Sequence, residues 1–367
     1  MSPSRRQTLR ILGGGTGAAI AAATGFVATR TPAEALAPWD NAGTQEDPRL
    51  HALSYAILAP NPHNRQPWMV ELVEEDTVIL HRDSERNLPE TDPFDRQIFI
   101  GLGCFLEQMT VAATMNKLSV THELFPEGET GPVAISTFAK GTETDPLSQQ
   151  ILARRSCKEP FSPEAVSQED ADALNAYATL VQGDEEVARL RQLTIDAWRV
   201  EAMTHRTMRE SVDLMRFGKA EINANPDGID MGGAFLEAMH MAGIVTPETL
   251  LDPASTGFKE GQKSYEAMLN ATPAYAVLTS PTNTREDQID AGRRWLRLNL
   301  ATTGRAMSLH PVSQALQEFP EMAEHYQAAH TLLAEPGHTV QMLGRLGYGP
   351  SVPPTPRWSL ETRLRNV

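Results

Sequence analysis

The loop around which the rest of this sequence can be placed reads Ala59-Pro60-Asn61-Pro62-His63-Asn64-Arg65-Gln66-Pro67-Trp68. Its prolines rule out a helix interior, because each lacks an N–H and fixes its own φ. Each proline also pushes the preceding residue towards an extended backbone. The alternating run from Met69 to Val73 then predicts a strand. The sequence therefore predicts a stiff loop presenting amides, an imidazole and a guanidinium, either for a bound group or as an ordinary surface turn.

The loop resembles the P-x-x-x-N-x-Q-P-W loop of the nitroreductase superfamily of FMN-dependent oxidoreductases. The residues in register are Asn64, Gln66, Pro67 and Trp68. In that family the loop lies against the flavin bound by the neighbouring half of a dimer. The resemblance therefore implies FMN as the cofactor and places these loop residues in contact with it: Pro60, Asn61, His63, Asn64 and Gln66.

A basic segment lies well downstream and reads Arg154-Arg155-Ser156-Cys157-Lys158. Guanidinium, hydroxyl and ammonium groups suit a phosphate dianion and a developing flavin anion, although a solvated basic stretch is the open alternative. The segment resembles the family's R-x-S-x-K/R segment. The resemblance implies that Arg154 and Ser156 hold the FMN phosphate and that Lys158 faces the N1–C2=O edge of the flavin.

Two later segments also match the family. The run after Ser308 resembles the loop whose backbone N–H contacts flavin N5, and the matching positions are Pro311, Val312 and Ser313. Near the C-terminus, Arg357 matches an arginine that returns to the FMN phosphate. Some members of the family carry a Lys two positions earlier, where this chain has Thr355.

The N-terminus is typical of an export signal. Residues 4–10 match the twin-arginine pattern, and residues 11–27 form a weakly apolar run that is too short and too poor in Leu and Phe to predict a membrane span. Ala33 and Ala35 provide a small-x-small cleavage site. We therefore expect residues 1–35 to be a signal peptide read by the Tat machinery, with a disordered basic tail as the alternative. The protein is then exported, periplasmic or otherwise extracytoplasmic.

Composition narrows the class of protein. The chain has 367 residues, 41% hydrophobic and 22% charged, which is typical of a globular protein. Its formal charge of −15 would become −18 after loss of four Arg and one Glu with the leader. This charge argues against nucleic acid or an anionic membrane surface as the main partner. The Cys and His spacings do not indicate a metal site.

The pattern of strands and helices predicts an α+β fold. Short alternating runs come in pairs around residues 69–81 and 119–138, and longer helical patterns are separate from them. An apolar helix is expected from Asp92-Pro93 to about Asn116, with its internal glycines marking a close contact between helices. Another helix is expected from Ser162-Pro163.

The matching segments are divided between two halves of the chain. The loop occurs in residues 36–148, whereas the other three segments occur in residues 149–367. This arrangement resembles the duplicated, Acg-type branch of the superfamily, which implies two fused nitroreductase-like units, a monomeric pseudo-dimer and a single FMN. Residues 223–261 interrupt the family pattern and form either a lid over the flavin or a peripheral excursion.

Two functions follow from the resemblance. The first is an exported FMN-dependent oxidoreductase that moves a hydride or electrons through flavin N5, from a small-molecule donor to an unknown small acceptor. In it no side chain is catalytic, and Lys158 stabilises charge electrostatically. The alternative is a protein that sequesters FMN in a lid-closed site with little or no turnover. An open pocket over flavin N5 would favour the oxidoreductase, and a pocket covered by residues 223–261 would favour the sequestering protein.

Overall fold

The computed structural model describes residues 29–365, so most of the expected leader lies outside the described residues. Two four-stranded antiparallel sheets and a set of long helices make up the described chain, which confirms the α+β expectation. In chain order the strands are β1 Trp68–Val73, β2 Thr77–Arg82, β3 Leu118–Leu124, β4 Ala134–Lys140, β5 Thr179–Val181, β6 Met215–Phe217, β7 Ile229–Met231, β8 Ala274–Ser280, β9 Ser308–Pro311 and β10 Thr339–Gly347.

Each half of the chain contributes one of these sheets. The first sheet has the order β1-β2-β4-β3, and the second has the order β5-β8-β10-β9. The turn after the central loop sets the register of the first, since Trp68 lies opposite Arg82 and Val73 opposite Thr77. Strands β6 and β7 form a separate parallel pair.

Helices surround the sheets and cross between them. They are α1 Ala33–Asp40, α2 Pro48–Ala56, α3 Arg96–Ala113, α4 Gln168–Leu174, α5 Asp184–Met203, α6 His205–Asp213, α7 Gly218–Ala224, α8 Ala234–Met241, α9 Pro247–Leu251, α10 Thr256–Asn270, α11 Arg285–Gly304 and α12 Ala323–Leu333. Among the described helices, the stretch Arg96–Asn116, which is α3 with the turn after it, is long and apolar enough to span a membrane, and 89% of that window is buried in the fold.

The two halves meet where α3 crosses α11. A Cβ placed on Gly103 would lie 2.1 Å from the Ile289 carbonyl oxygen, and one on Gly292 would lie 2.0 Å from the Ile100 carbonyl oxygen. Both distances are far inside van der Waals contact, so only glycine allows the two backbones to come this close. The expectation that a glycine in this helix marks a close contact between helices is confirmed at Gly103.

The main hydrophobic core is shared by the two halves. Trp68 and Phe105 of the first half pack in the same buried cluster as Trp295 of the second. At one edge of this core the buried Glu107 of α3 accepts hydrogen bonds from Arg293 and Arg297 of α11, at 2.7 and 2.5 Å. The expected boundary at residue 148 therefore does not separate two independent cores.

Two expected helix starts are wrong. The third helix begins at Arg96, because residues 92–95 form a turn that ends with Asp95 at φ +60°, and Asp92 instead accepts N–H groups from Gln97 and Ile98. No helix starts at Ser162. The Ser162 N–H donates to the Tyr348 carbonyl at 2.7 Å, which holds this segment extended until α4 begins at Gln168.

The predicted cleavage bond after Ala35 lies inside helix α1. Ala35 is 2% exposed, and its N–H donates to Asn223 Oδ1 at 3.2 Å. Its carbonyl accepts the Arg357 N–H at 2.8 Å. A protease would therefore need this first turn of α1 to open before it could reach the bond. The twin-arginine residues and the apolar run lie outside the described residues.

Candidate functional site

The central loop has an unusual backbone. His63, Asn64 and Gln66 have φ values of +47°, +52° and +51°, in the left-handed region that few residues other than glycine adopt. Asn and His tolerate this region better than most residue types. The prolines on either side fix the neighbouring φ angles. The loop is thus a rigid, strained segment, and such strain is found preferentially at functional sites.

Two side-chain amides of the loop, those of Asn61 and Gln66, fix its position. Asn61 Oδ1 accepts the Gln66 N–H at 2.7 Å, and Asn61 Nδ2 donates to the Ala59 carbonyl at 3.1 Å. Gln66 is fully buried; its Nε2 donates to the Pro226 carbonyl at 2.7 Å and its Oε1 accepts the Trp358 N–H at 2.9 Å. Asn61 therefore holds the loop in shape, and Gln66 joins it to the insertion and to the C-terminal segment.

Asn64 joins the loop to Arg357. Its Oδ1 accepts from an Arg357 Nη1 hydrogen at 2.7 Å, and its Nδ2 donates to the Pro356 carbonyl at 3.1 Å. The other Arg357 terminal nitrogen donates to the carbonyls of Leu58 and Ala59, at 3.1 and 3.2 Å. The two segments that the sequence proposed for one site, which lie at opposite ends of the chain, are in direct contact.

Arg154 reaches the same point. Its Nη2 donates to the Leu58 carbonyl at 3.1 Å, the oxygen that also accepts from Arg357. Both arginines are 3% exposed, and the Nε atom of each is buried without a hydrogen-bond partner. Within residues 29–365 neither has an ion pair with a carboxylate. Two buried cations therefore share one carbonyl with part of their hydrogen-bonding capacity unused.

The pKa values of these arginines reflect their surroundings. Burial, followed by the nearby Arg155, lowers the pKa of Arg154 to about 10. Burial, with Arg154 and Arg155 nearby, lowers the pKa of Arg357 well below its ordinary value. A buried cation without a counter-ion is costly. The surroundings of Arg154 and Arg357 are therefore suited to an anion.

Lys158 lies near the central loop and the insertion. Its side chain is exposed, yet the surrounding protein lowers its pKa by desolvation, with Asp230 acting in the opposite direction. The same ammonium group contributes to the lowered pKa values of His63 and His310. It therefore faces the central loop, the end of β9 and the insertion together. Ser156 is half-buried, and its hydroxyl has no hydrogen-bond partner within residues 29–365.

Only one N–H of the predicted N5-contact loop is available to a ligand. Pro311 has none, and the buried Val312 donates its N–H to the Leu343 carbonyl at 2.9 Å. Among the described residues no acceptor is found for the Ser313 N–H, while the Ser313 hydroxyl donates to Gln97 Oε1 at 3.0 Å. Of the three matched positions, only Ser313 has a backbone N–H without an acceptor among the described residues.

The insertion contacts the central loop directly. The Gly228 N–H donates to the Asn64 carbonyl at 3.3 Å. The neighbouring Asp227 pairs with Arg86 at 2.5 Å, Arg216 at 3.1 Å and Arg65 at 3.6 Å. Burial alone would raise the pKa of Asp227, but Arg86 and Arg216 lower it overall. The segment from 226 to 230 is thus fastened to the loop, and Asp230 faces Lys158.

Several residues of the site were not found from the sequence. Trp39 and Arg155 lie beside Arg357 and Arg154, and Asp227 fastens the insertion. The position of Arg155 in the basic segment could have indicated a role in the site. No sequence motif marked Trp39, which lies just beyond the expected leader. Asp227 follows a proline and precedes a glycine, so on sequence it indicated only a turn.

The described residues contain no group of three or more His, Cys, Asp or Glu side chains able to hold a metal. Both cysteines, Cys104 and Cys157, are buried free thiols. Burial raises the pKa of the Cys104 thiol to about 12, so it is not a nucleophile.

No family model matches the chain, and no curated protein matches it. Similar folds occur among solved structures. The FMN-dependent nitroreductase NfnB of Mycobacterium smegmatis, solved with NADPH, has 18% identity and a TM-score of 0.38, over 60% of this chain and 96% of its own. A nitroreductase with bound FMN from Bacteroides fragilis has 13% identity and a TM-score of 0.33, over 56% and 90%. A nitroreductase-like protein of Bacillus cereus has 14% identity and a TM-score of 0.32, over 62% and 99%.

Proposed function

We propose that this chain binds FMN and acts as a nitroreductase-like oxidoreductase. One observation carries the proposal. The strained loop of the first half and two buried arginines of the second half meet at the Leu58 carbonyl, and no carboxylate of residues 29–365 pairs with those arginines. Those are the segments to which the resemblance to the nitroreductase superfamily assigns the flavin loop and the phosphate contacts.

The residues present fit the phosphate of FMN. A phosphate monoester carries a charge of about −1.5 to −2 at neutral pH and offers three acceptor oxygens. Arg154 and Arg357 supply two buried guanidinium groups, each with an Nε that has no partner. The free hydroxyl of Ser156 lies in the same segment. Charge and donors are thus both suited to this group.

The other end of the site fits the isoalloxazine ring. Bound FMN supplies hydride and electron transfer at N5. Lys158 would stabilise negative charge at the N1–C2=O edge through its ammonium group. The Ser313 N–H would supply the backbone donor to N5 that the resemblance assigns to this loop. No acid or base among the side chains is required, so the catalytic role of the protein is orientation and charge.

The site is proposed to occur once per chain. Each half has one antiparallel sheet and one long central helix, and the helices cross at Gly103 and Gly292. The loop belongs to the first half, whereas the phosphate arginines belong to the second. These features support the duplicated, Acg-type arrangement, in which a monomeric chain imitates the family's dimer and holds one FMN.

Export by the Tat machinery remains part of the proposal. The twin-arginine pattern supports it, and a Tat substrate crosses the membrane already folded, which suits a protein whose cofactor binds between two halves. Replacing Arg5 and Arg6 by Lys is expected to leave full-length precursor in the cytoplasm. Unimpaired export of that double variant would contradict this part of the proposal.

The function is tested on purified protein by its absorption spectrum, followed by anaerobic titration with NADPH. The proposal predicts a flavin spectrum and bleaching when a donor is added, then recovery when a small nitro-aromatic acceptor follows. A colourless protein that does not take up added FMN would refute it. Bound flavin that neither NADPH nor dithionite reduces would refute turnover and leave the sequestering role.

A further inference from the structure

A buried carboxyl group, that of Glu201, lies beside the turn that follows Ser313. Glu201 belongs to the last turn of helix α5 and is 4% exposed. Within residues 29–365 no Arg, Lys or His forms an ion pair with it. An ionised carboxylate that is buried without a counter-ion is costly, and burial of this kind favours the protonated form. The proposed oxidoreductase chemistry gives this group no role.

Two glutamines connect Glu201 to the backbone of Ser313. Ser313 is the N-cap of a short 3-10 turn at Gln314–Leu316. The side-chain amides of Gln317 and Gln314, which stand at the two ends of this turn, lie next to the Glu201 carboxyl. The Ser313 carbonyl accepts the Leu316 N–H at 2.9 Å, so the backbone of Ser313 is part of the same turn. A change at Glu201 can therefore reach the Ser313 N–H through one turn of the chain.

Three oxygen atoms of this cluster lack a hydrogen-bond donor. Glu201 Oε2, Gln314 Oε1 and Gln317 Oε1 are each buried without a partner. A carboxylate can only accept hydrogen bonds, so the ionised form of Glu201 cannot supply the missing donor. A protonated carboxyl carries an O–H that can donate to an amide oxygen. The hydrogen-bonding needs of the cluster therefore favour a proton on Glu201.

The charges that face Glu201 also favour its neutral form. Burial raises the pKa of Glu201 to about 7, against the effect of the two glutamine amides, and the Glu210 carboxylate of α6 acts in the same direction as burial. From α10 the facing group is Tyr265, which is neutral because burial raises its pKa further above the ordinary value. Glu321, in the turn before α12, is paired with Arg206 at 2.6 Å. No facing group supplies a positive charge.

We propose that Glu201, carrying a proton, is a positioning residue that holds the turn at residues 314–317, and with it the Ser313 N–H, in place. Loss of the proton above neutral pH leaves a carboxylate opposite the two amide oxygens and releases the turn. The inference rests on the proposed function only in taking flavin N5 as the acceptor of the Ser313 N–H. It makes that contact dependent on pH through a residue that does not touch the cofactor.

The first test uses cofactor-free full-length protein with nitrogen-15-labelled serine. The Ser313 amide resonance, assigned with Ser313→Ala, is followed through the pH range around 7. We expect a change with a midpoint near pH 7 in the parent protein and none in Glu201→Gln, which has a similar shape and is uncharged at every pH. The matched control is Glu185→Gln, which removes an exposed carboxylate of the same helix, paired only with Arg189, and should titrate like the parent.

The second test measures the FMN affinity of the same proteins on both sides of pH 7, by quenching of flavin fluorescence. The parent should lose affinity roughly two- to tenfold relative to Glu201→Gln as the pH rises, which is the effect of one neutral hydrogen bond. Titration of the FMN phosphate is common to both proteins and cancels. Glu201→Ala should bind FMN at low pH as weakly as the parent does at high pH.

The outcomes separate this inference from the function on which it rests. A Ser313 resonance in the parent that does not change around pH 7 would overturn the inference, even if Glu201→Gln failed to fold. A pH-dependent resonance that Glu201→Gln abolishes, in a protein that binds no FMN, would uphold the role of Glu201 in the turn and refute the flavin function. Tight FMN binding with the same pH dependence in the parent and in Glu201→Gln would uphold the flavin function and overturn the positioning role.

Discussion

Two clusters of arginines in the described part of the chain, one around Asp227 and one at the Leu58 carbonyl, differ in their counter-charge. Around Asp227, three guanidinium groups surround a single carboxylate at 2.5 to 3.6 Å. At the Leu58 carbonyl, Arg154 and Arg357 are more deeply buried and have no carboxylate partner among residues 29–365. This comparison shows which cluster already has a counter-charge within the described protein. The cluster around Asp227 has its counter-charge within the protein and fastens the insertion to the loop, whereas the cluster at Leu58 has none among residues 29–365, and we propose that it binds an anion.

The largest expected effect is on the free energy of unfolding, through the cluster around Asp227. Replacing Asp227 by Asn would leave three cations without their counter-charge, and breaking a buried ion pair costs about 3–5 kcal/mol. We expect a loss of that size in the free energy of unfolding, measured with urea. The control is Asp213→Asn, at an exposed residue 3.9 Å from Arg209, which should change stability by less than about 0.5 kcal/mol. Equal effects of the two substitutions would show that the Asp227 cluster is not structural.

The second prediction concerns the cluster at Leu58, where we expect a loss of ligand affinity with little loss of stability. Arg154→Gln removes a charge-assisted hydrogen bond to the ligand worth about 1.5–3 kcal/mol, so FMN should bind roughly ten- to a hundredfold more weakly. The cofactor-free protein should lose less than about 1 kcal/mol of stability, since an unpaired buried cation is itself costly. Fluorescence titration and urea unfolding measure the two quantities. Unchanged FMN affinity with a large loss of stability would show that Arg154 stabilises the fold and does not bind the ligand.

The smallest effect concerns the stability contribution of His63, whose loop neighbours Asn64 and Arg65 contact the two clusters. Burial, with Lys158 and Arg65 nearby, lowers its pKa from 6.5 to about 4. Between pH 6.5 and 4 the unfolded chain therefore takes up a proton that the folded chain does not, so this group destabilises the fold as the pH falls. We expect His63→Gln to reduce the loss of stability over that range, by roughly 1 kcal/mol for a side chain that is partly exposed. Identical pH profiles of the two proteins would contradict the lowered pKa.

Local patterns in the sequence predicted much of this structure. The prolines of residues 60–67 indicated a stiff loop, and the glycine at 103 indicated a close helix contact, because both are consequences of backbone chemistry at single positions. Arg154 and Arg357 could be named because the motifs around them resemble known ones. That resemblance did not reveal that their partners would be the carbonyls of Leu58 and Ala59.

What the sequence did not predict depends on contacts between distant segments. The pairing of Asp227 with Arg86, and the stacking of Arg155 on Trp39, join residues that no local pattern connects. The helix expected at Ser162 failed for the same reason. Its capping signal was sound locally, but a backbone hydrogen bond to Tyr348 kept the segment extended.

The comparison of the two clusters is tested most directly by titrating cofactor-free protein with FMN and with riboflavin. The two ligands share the isoalloxazine ring and differ in the phosphate. The account predicts saturation at one FMN per chain, and at least about tenfold weaker binding of riboflavin, because each charge-assisted contact contributes about 1.5–3 kcal/mol. Equal affinity for the two ligands, or saturation at two FMN per chain, would contradict it.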